Sequence, residues 1–345
     1  VADGNPDPAL LPSHQAVLGR LRGPARLYGE ATNRPDLLEV AGSAYRADGI
    51  PADHVAIVGG ALDGLERALQ AHLRPGDRIG LEDPGFTGVL DLVGALGLVP
   101  EPFGIDDFGP RPEDVAGVLK RGAAGIILTP RAQNPRGSAL DERRSRELSR
   151  VLESHPEVLV IEDDHAWAVA GTPCQTLVPG RQRWAVVRSV AKSLGPDLRL
   201  AFLTGDALTV SRIEGRQALG TGWVSHILQR VVASLLTDPG TEDLLGRAAA
   251  AYRERRGALL EALKVQGIEA HGRSGLNCWI PVREEVTIVT AMAASGWALR
   301  GTESYRIKSP PAIRVTVSTL HPAECPGFAA ALAQAFRGRP TTPLT

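Results

Sequence analysis

Two apolar runs of strand length, residues 184–187 and 200–203, flank a polar turn that carries Ser189, Lys192, Ser193 and Arg199. The runs read as buried strands, and the turn between them is the point around which the chain is organised. Lysine occurs only at positions 120, 192, 264 and 308 of a chain with 38 basic residues. Arginine keeps its proton, whereas a partly desolvated lysine amine can lose it and attack a carbonyl. On this stretch alone, a loop lysine facing water is an equally good reading.

At 345 residues the chain can bury a large core, as one big domain and a smaller one. Its formal net charge of −1 gives no long-range field that would draw in nucleic acid or an anionic membrane. The densest basic cluster, Arg253, Arg255 and Arg256, is interleaved with Glu254 and Glu261 and reads as a solvated helix face. Cys174, Cys278 and Cys325 are far apart and odd in number, which suits a reducing compartment, and a cytoplasmic location is expected. The histidines show no metal-ligand spacing, and the sequence has no apolar run of about 18 residues and no signal peptide. The chain opens on Val1 and its sole methionine is Met292, so it is expected to be a trimmed or processed part of a longer protein.

Residues 1–25 are rich in Pro and Gly and read as an extended arm of the kind that often packs on a partner subunit. A helix is expected from about Pro35 to Ala47, then a buried strand at 55–58, Gly59-Gly60, and a helix through about Leu73. Glycines let backbone amides approach an anion and the helix amino end adds partial positive charge, so a phosphate suits Gly60 and Ala61; a plain tight turn explains the pair equally well. A short strand at 79–81 leads into Glu82-Asp83-Pro84-Gly85-Phe86, and a buried strand at 125–129 leads into Asn134-Pro135-Arg136-Gly137. A helix is placed at about 141–153. A strand at 157–161 delivers Glu162, Asp163, Asp164 and His165, and clustered carboxylates need a cation nearby. A Mg²⁺ site is the alternative reading of that cluster. Residues 206–265 look helical with a break at Asp238-Pro239-Gly240. Beyond about Gly267 come strands at 276–280 and 313–317 and helices at about 286–295 and 322–337. Arg314 starts a β-branched run, where a guanidinium fork fits a carboxylate; an ordinary strand-end arginine is the plainer reading.

Ser189-x-x-Lys192-Ser193-Leu194-x-Pro196-x-Leu198-Arg199 resembles the Schiff-base segment of fold-type I pyridoxal-phosphate (PLP) enzymes, and most of all the aminotransferase-like domain of MocR-type (GntR superfamily) transcriptional regulators. The Asn-Pro-x-Gly and Glu-Asp-Asp segments occur in that family's order, and the resemblance spans about Tyr28 to Phe336. It implies an α/β fold: a large domain with a mixed, mostly parallel sheet sandwiched by helices, plus a smaller C-terminal α+β domain. The boundaries drawn are 1–34 for the N-terminal arm and dimer contact, 35–266 for the large domain and 267–345 for the small one. Lys192 would form the internal aldimine, with Gly60, Ala61, Ser189 and Arg199 on the phosphate and Phe86 on the pyridine face. Asn134 and His165 would contact ring oxygen O3′, Asp163 the pyridine nitrogen, and Arg314 a substrate carboxylate. Tyr28 would reach the phosphate of a second subunit, making a homodimer.

The chain departs from the family at Gly59 (usually a hydroxyl residue), Leu62 (usually Gln), Phe86 and His165 (usually Tyr). An imidazole at 165 titrates near pH ~6.5 rather than ~10, so the colour of the bound cofactor should vary differently with pH. Two functions are implied: the effector domain of a MocR-type regulator, taking an amino-group ligand as external aldimine, or a free-standing aminotransferase for a small amino acid and a 2-oxo acid. A racemase, decarboxylase or eliminating enzyme would use the same lysine. Trp167, Trp223 and Arg306 are further candidates to line the pocket. No direct nucleic-acid contact, membrane contact or metal is expected of these residues.

Overall fold

The computed structural model describes residues 1–22 and 26–338. The Val- and Ile-rich runs of the first two-thirds are apolar on both faces, a pattern that needs cover on both sides. With β3 and β4, which are more polar or shorter, they form an eight-stranded sheet from β1 (Val55–Val58), β2 (Arg78–Asp83), β3 (Val99–Asp106), β4 (Gly109–Pro110), β5 (Gly125–Leu128), β6 (Leu159–Asp163), β7 (Trp184–Ser189) and β8 (Ala201–Gly205). The spatial order is β1-β8-β7-β6-β5-β2-β3-β4. Strands β3, β2, β5, β6 and β7 are parallel, and β8 runs against both β7 and β1. Strand β1 therefore points the same way as the parallel set. The C-terminal ends of β1, β2, β5, β6 and β7, with the start of β8, meet on one edge, where an open α/β sheet places its ligands.

One apolar cluster packs Leu37, Tyr45, Phe103, Val186 and Phe202 on one face of the sheet, and a second packs Leu65, Leu69, Ile79, Ile161 and Leu203 on the other. This is the mixed, mostly parallel, helix-covered sheet expected. A separate three-stranded antiparallel sheet of β9 (Asn277–Pro281), β10 (Arg300–Gly301) and β11 (Ala312–Thr316), in the order β10-β11-β9, carries its own core with Phe328 and Leu332.

Two turns fix the smaller sheet against the larger. The Gly137 carbonyl accepts from the amides of Arg273 (2.8 Å) and Ser274 (2.9 Å). A β-carbon at Gly137, whose φ is +73°, would lie 2.4 Å from the Asn277 carbonyl oxygen, so only glycine suits this approach. The Asp83 carboxylate accepts from the amides of Ile307, Lys308 and Ser309 at 2.6–3.0 Å.

The helix expected at 35–47 is Pro35–Ala47, with proline in its first turn and Asp36 facing the positive end of the dipole. Residues 206–265 form three helices, Ala207–Ala218, His226–Leu236 and Pro239–Val265. The break at 238–240 was expected; the one at 219–225 follows from Gly220 and Gly222, the latter at φ +76°. Strand β6 starts at Leu159 rather than at 157, which moves Asp163 into its last position. The arm at residues 1–25 is not simply extended: Pro8–Leu10 is a 3-10 turn and His14–Leu18 a short helix, both with side-chain caps. Residues 23–25 of that arm lie outside the described residues. Among the described residues no helix is long and apolar enough to cross a membrane.

Candidate functional site

Each expected segment delivers its side chains to the common sheet edge. Strand β1 ends at Gly59-Gly60, and Gly60 (φ +114°) starts helix Ala61–His72, whose first turn has no side-chain cap. A β-carbon at Gly60 would lie 3.0 Å from the Arg199 guanidinium, so glycine lets this arginine close over the helix amino end. Arg199 sits in the left-handed region (φ +43°) just before β8, and Ser189 closes β7 with its hydroxyl accepting from Ala191 N at 3.1 Å. Backbone amides, a dipole end and a guanidinium converge here, the composition of an anion cradle.

Strand β2 ends ahead of Phe86, which is partly exposed and starts helix Thr87–Ala95. Phe86, Glu82, Thr129 and Asp163 line one small pocket. A β-carbon at Gly88 would lie 2.8 Å from the Phe86 ring, so this glycine makes room for it. Asn134 follows β5 and turns its side-chain oxygen to Arg314 Nη1 (3.2 Å), which leaves the amide NH₂ without a partner among the described residues.

The carboxylates at the end of β6 have three different fates. Glu162 is buried on Thr176 Oγ1 (2.8 Å) and Leu177 N, and burial pushes its pKa up to about 7. Asp164 is held by Arg131 and Arg188, each contact 2.9 Å, and these guanidiniums, outweighing its burial, keep its carboxyl below the usual range. Both arginines also grip Asp48, so two buried cations balance two anions. This supplies the cation that the acidic run demanded. Of the carboxylates read alternatively as a Mg²⁺ site, only Asp164 falls in a group with metal-ligand spacing among the described residues, with Asp48 and Cys174, and Arg131 and Arg188 already pair with both carboxylates of that group.

Asp163 is different. Its Oδ1 is buried with no hydrogen-bond partner, and burial, with Asp164 and Glu82 nearby, pushes its pKa up to about 7. The nearest basic atom, His165 Nδ1, is 3.9 Å away, and burial together with Lys192 lowers that imidazole's pKa to about 4. The pKa of ~6.5 expected for this ring is therefore corrected downward, and the ring is neutral at physiological pH.

Lys192 is half-buried, and its Nζ donates to the Gly4 carbonyl at 2.7 Å. Burial and then Arg314 lower its pKa, which raises the fraction of neutral, nucleophilic amine. Arg314, on β11, is 2% exposed. It donates to Asn134, to Tyr305 Oη (2.7 Å) and to the Ala2 carbonyl (2.6 Å), while its Nε has no partner. Among the described residues no carboxylate is hydrogen-bonded or ion-paired to Lys192 or Arg314, and Asp3 is the acidic group whose charge reaches both.

Lys192, Asp163, His165, Asn134 and Arg314 thus form one connected group, with Phe86 beside Asp163 and with Gly60 and Arg199 paired at the anion cradle. Tyr28 stands apart: it is 92% exposed and meets Trp223 edge-on, ring centroids 5.6 Å apart. Of the further pocket candidates, Trp167 donates from Nε1 to Ser189 O at 3.1 Å. Trp223 packs with Tyr28, and Arg306 pairs with Glu285 at 2.8 Å. Sequence reasoning missed Arg131, Arg188, Asp48 and Tyr305. Arg188, an arginine inside an apolar strand run, was the one visible signal among them.

A family model described as aminotransferase class I and II matches residues 25–332. The chain is 38% identical over 340 residues to the vitamin B6 salvage pathway transcriptional repressor PtsJ of Salmonella typhimurium, covering 97% of this chain and 79% of that protein. It is 28% identical to the HTH-type transcriptional regulator TauR of Rhodobacter capsulatus, covering 84% of this chain and 61% of that one. Among solved structures, Pyrococcus horikoshii kynurenine aminotransferase superposes with a TM-score of 0.86 at 19% identity, over 97% of this chain and 90% of its own, a likeness of fold.

Proposed function

Because the chain belongs to the aminotransferase class I and II family, we propose that it is a pyridoxal-phosphate-binding, aminotransferase-like domain acting as the effector-sensing part of a MocR-type transcriptional regulator. One observation carries the reading. Two cations, Lys192 and Arg314, and one carboxylate, Asp163, are gathered at one sheet edge; no carboxylate is hydrogen-bonded to either cation among the described residues, only the exposed Asp3 adding its charge to both, and Asp163 Oδ1 has no partner. Such groups are costly unless a ligand completes them.

The residues fit the cofactor. Gly60, Ala61, Ser189 and Arg199 would hold its phosphate, with Tyr28 added from the second subunit of a homodimer. Phe86 would stack on the ring, Asn134 and His165 would face its oxygen, and Asp163 its nitrogen. When bound, pyridoxal phosphate supplies an aldehyde carbon that joins an amine and a ring that withdraws electrons.

The chain's own groups do the rest. The lowered pKa of Lys192 favours its neutral amine, the form that bonds to carbon and later carries a proton. Asp163, whose Oδ1 has no partner, would be the anion that pairs with a cationic ring nitrogen, a partner that the neutral His165 does not supply. Asp164, fixed by Arg131 and Arg188, holds the end of β6 so that Asp163 is presented in one orientation. Arg314 would bind the carboxylate of a small amino-acid ligand.

The relatives favour sensing over turnover, since both regulators named above are transcriptional and the likeness to PtsJ covers nearly the whole chain. DNA binding, if the parent protein has it, would come from chain outside these residues. A cytoplasmic location belongs to the same proposal. The test is to load the protein with pyridoxal phosphate and offer a panel of amino acids with and without 2-oxo acids. The sensor reading predicts a stable change in absorbance and less than one 2-oxo acid formed per site; sustained turnover would replace it with the aminotransferase reading.

A further inference from the structure

Residues 1–5 hydrogen-bond into the site with backbone rather than side chains, while the Asp3 carboxylate adds its charge near Lys192 and Arg314. The Val1 carbonyl accepts from Thr316 N at 2.8 Å, so the segment starts against β11. The Ala2 carbonyl takes Arg314 Nη2 at 2.6 Å, and the Gly4 carbonyl takes Lys192 Nζ at 2.7 Å. Gly4 lies at φ +72°, and a β-carbon there would stand 3.4 Å from the Arg314 guanidinium. The far end is anchored: Asp7 N donates to Tyr252 Oη (3.0 Å), and Asp7 Oδ2 pairs with Arg255 (2.9 Å). Pro6 between them is buried.

The arrangement leaves Arg314 incompletely satisfied in a specific way. A carboxylate binds a guanidinium best through two parallel bonds. On Arg314 the side-on pair is Nε, which has no partner, and Nη2, which is on the Ala2 carbonyl. Nη2 carries two N–H groups, so a carboxylate that uses this pair competes with the Ala2 carbonyl for this edge of the guanidinium. The competition favours the carboxylate, because a charged acceptor is stronger than a neutral one on a buried cation.

We propose that residues 1–5 are a displaceable strap whose carbonyls stand in for the ligand, so that a carboxylate arriving at Arg314 releases the segment up to the anchor at Asp7. The strap then reports occupancy of the site along the backbone, and it competes with every carboxylate ligand. This rests on the reading of Arg314 as the carboxylate receptor.

Propionate, a carboxylate without an amine, is the probe. Its binding to the intact chain, to an Asp3→Asn chain and to a chain lacking residues 1–4 is measured by calorimetry, and amide hydrogen exchange of residues 2–10 is followed in the intact chain with and without saturating propionate. The strap predicts at least tenfold tighter binding on deletion than in the Asp3→Asn chain, which lacks that charge but keeps the segment. It also predicts at least tenfold faster exchange at residues 3–5 when propionate is bound, with Asp7 unchanged. Binding by a folded deletion variant no tighter than by the Asp3→Asn chain, unchanged or slower exchange at residues 3–5, or no binding to any of the three chains overturns it. If the shortened chain does not fold, the exchange measurement on the intact protein decides. Adding pyridoxal phosphate to the same samples and reading its absorbance tests the cofactor assignment separately, since propionate cannot react with the aldehyde.

Discussion

Asp163 is the residue at which stability and binding pull in opposite directions. Its folded pKa of about 7 lies above the ordinary value of 3.8, so the native state holds a proton that the unfolded chain has lost. The stability linked to that proton is full below pH 3.8 and is lost as pH rises through about 7. Glu82 and Glu162, also raised to about 7 by burial, act in the same direction. Without cofactor, Asp163→Asn should therefore gain on the order of 1–3 kcal/mol at pH 8 by urea unfolding and little at pH 4. The same substitution should weaken pyridoxal phosphate binding at least tenfold, because the amide cannot pair with a cationic ring nitrogen. A variant that is less stable at pH 8 would contradict the assignment of an uncompensated carboxyl.

His165 has the opposite sign: its pKa is depressed to about 4, so it opposes folding at low pH, and that penalty fades as pH rises toward its ordinary 6.5. His165→Tyr replaces a neutral imidazole with a phenol of pKa ~10. Titrating the absorbance of the loaded protein should give a shifted midpoint in the variant, and coincident curves would remove His165 from contact with the cofactor.

At the scale of elements, the site is held by the ends of β5, β6 and β7, and the network of Asp48, Arg131, Asp164 and Arg188 ties them together. Both arginines and Asp164 are buried, so removing one partner leaves an unbalanced charge. Arg188→Met should cost about 3–5 kcal/mol in urea unfolding, by the usual penalty for breaking a buried pair. An unchanged midpoint would mean that Arg131 alone satisfies both carboxylates.

Much of this level was legible in the chain. Runs such as Val55–Val58 and Gly125–Leu128 have no polar position to place in water, so they had to be strands buried on both faces. Gly60 and the Asn134–Gly137 turn were visible because each breaks a run where a ligand or another backbone must come close. Arg131 was not legible, because it belongs to a loop and meets Asp48, 83 residues away, only after the sheet has formed. The fate of the N-terminal segment was hidden for the same reason. Its Pro and Gly content marks an arm, but carbonyls at Ala2 and Gly4 carry no side-chain signature of what they touch.

For the whole molecule, the fold brings the smaller sheet to the ligand edge of the larger one through Gly137 and Asp83, so Arg314 serves a site built mainly by residues 55–205. The exposed apolar side chains Leu27, Tyr28 and Leu219, with Trp223 against Tyr28, fit the second copy invoked for the homodimer. Tyr28→Ala should then weaken cofactor binding while leaving the unfolding midpoint within about 0.5 kcal/mol of the parent. Sedimentation equilibrium showing a monomer for the parent protein would contradict the two-subunit site.

The proposed function requires a covalent bond at one side chain, Lys192. The most direct measurement is borohydride reduction of the protein mixed with pyridoxal phosphate, followed by mass analysis of its peptides, beside a Lys192→Ala variant treated in the same way. One pyridoxyl phosphate group on the peptide that contains Lys192, and none on the variant, is the predicted result. Label spread over Lys120, Lys264 and Lys308, or equal in the two proteins, would contradict it.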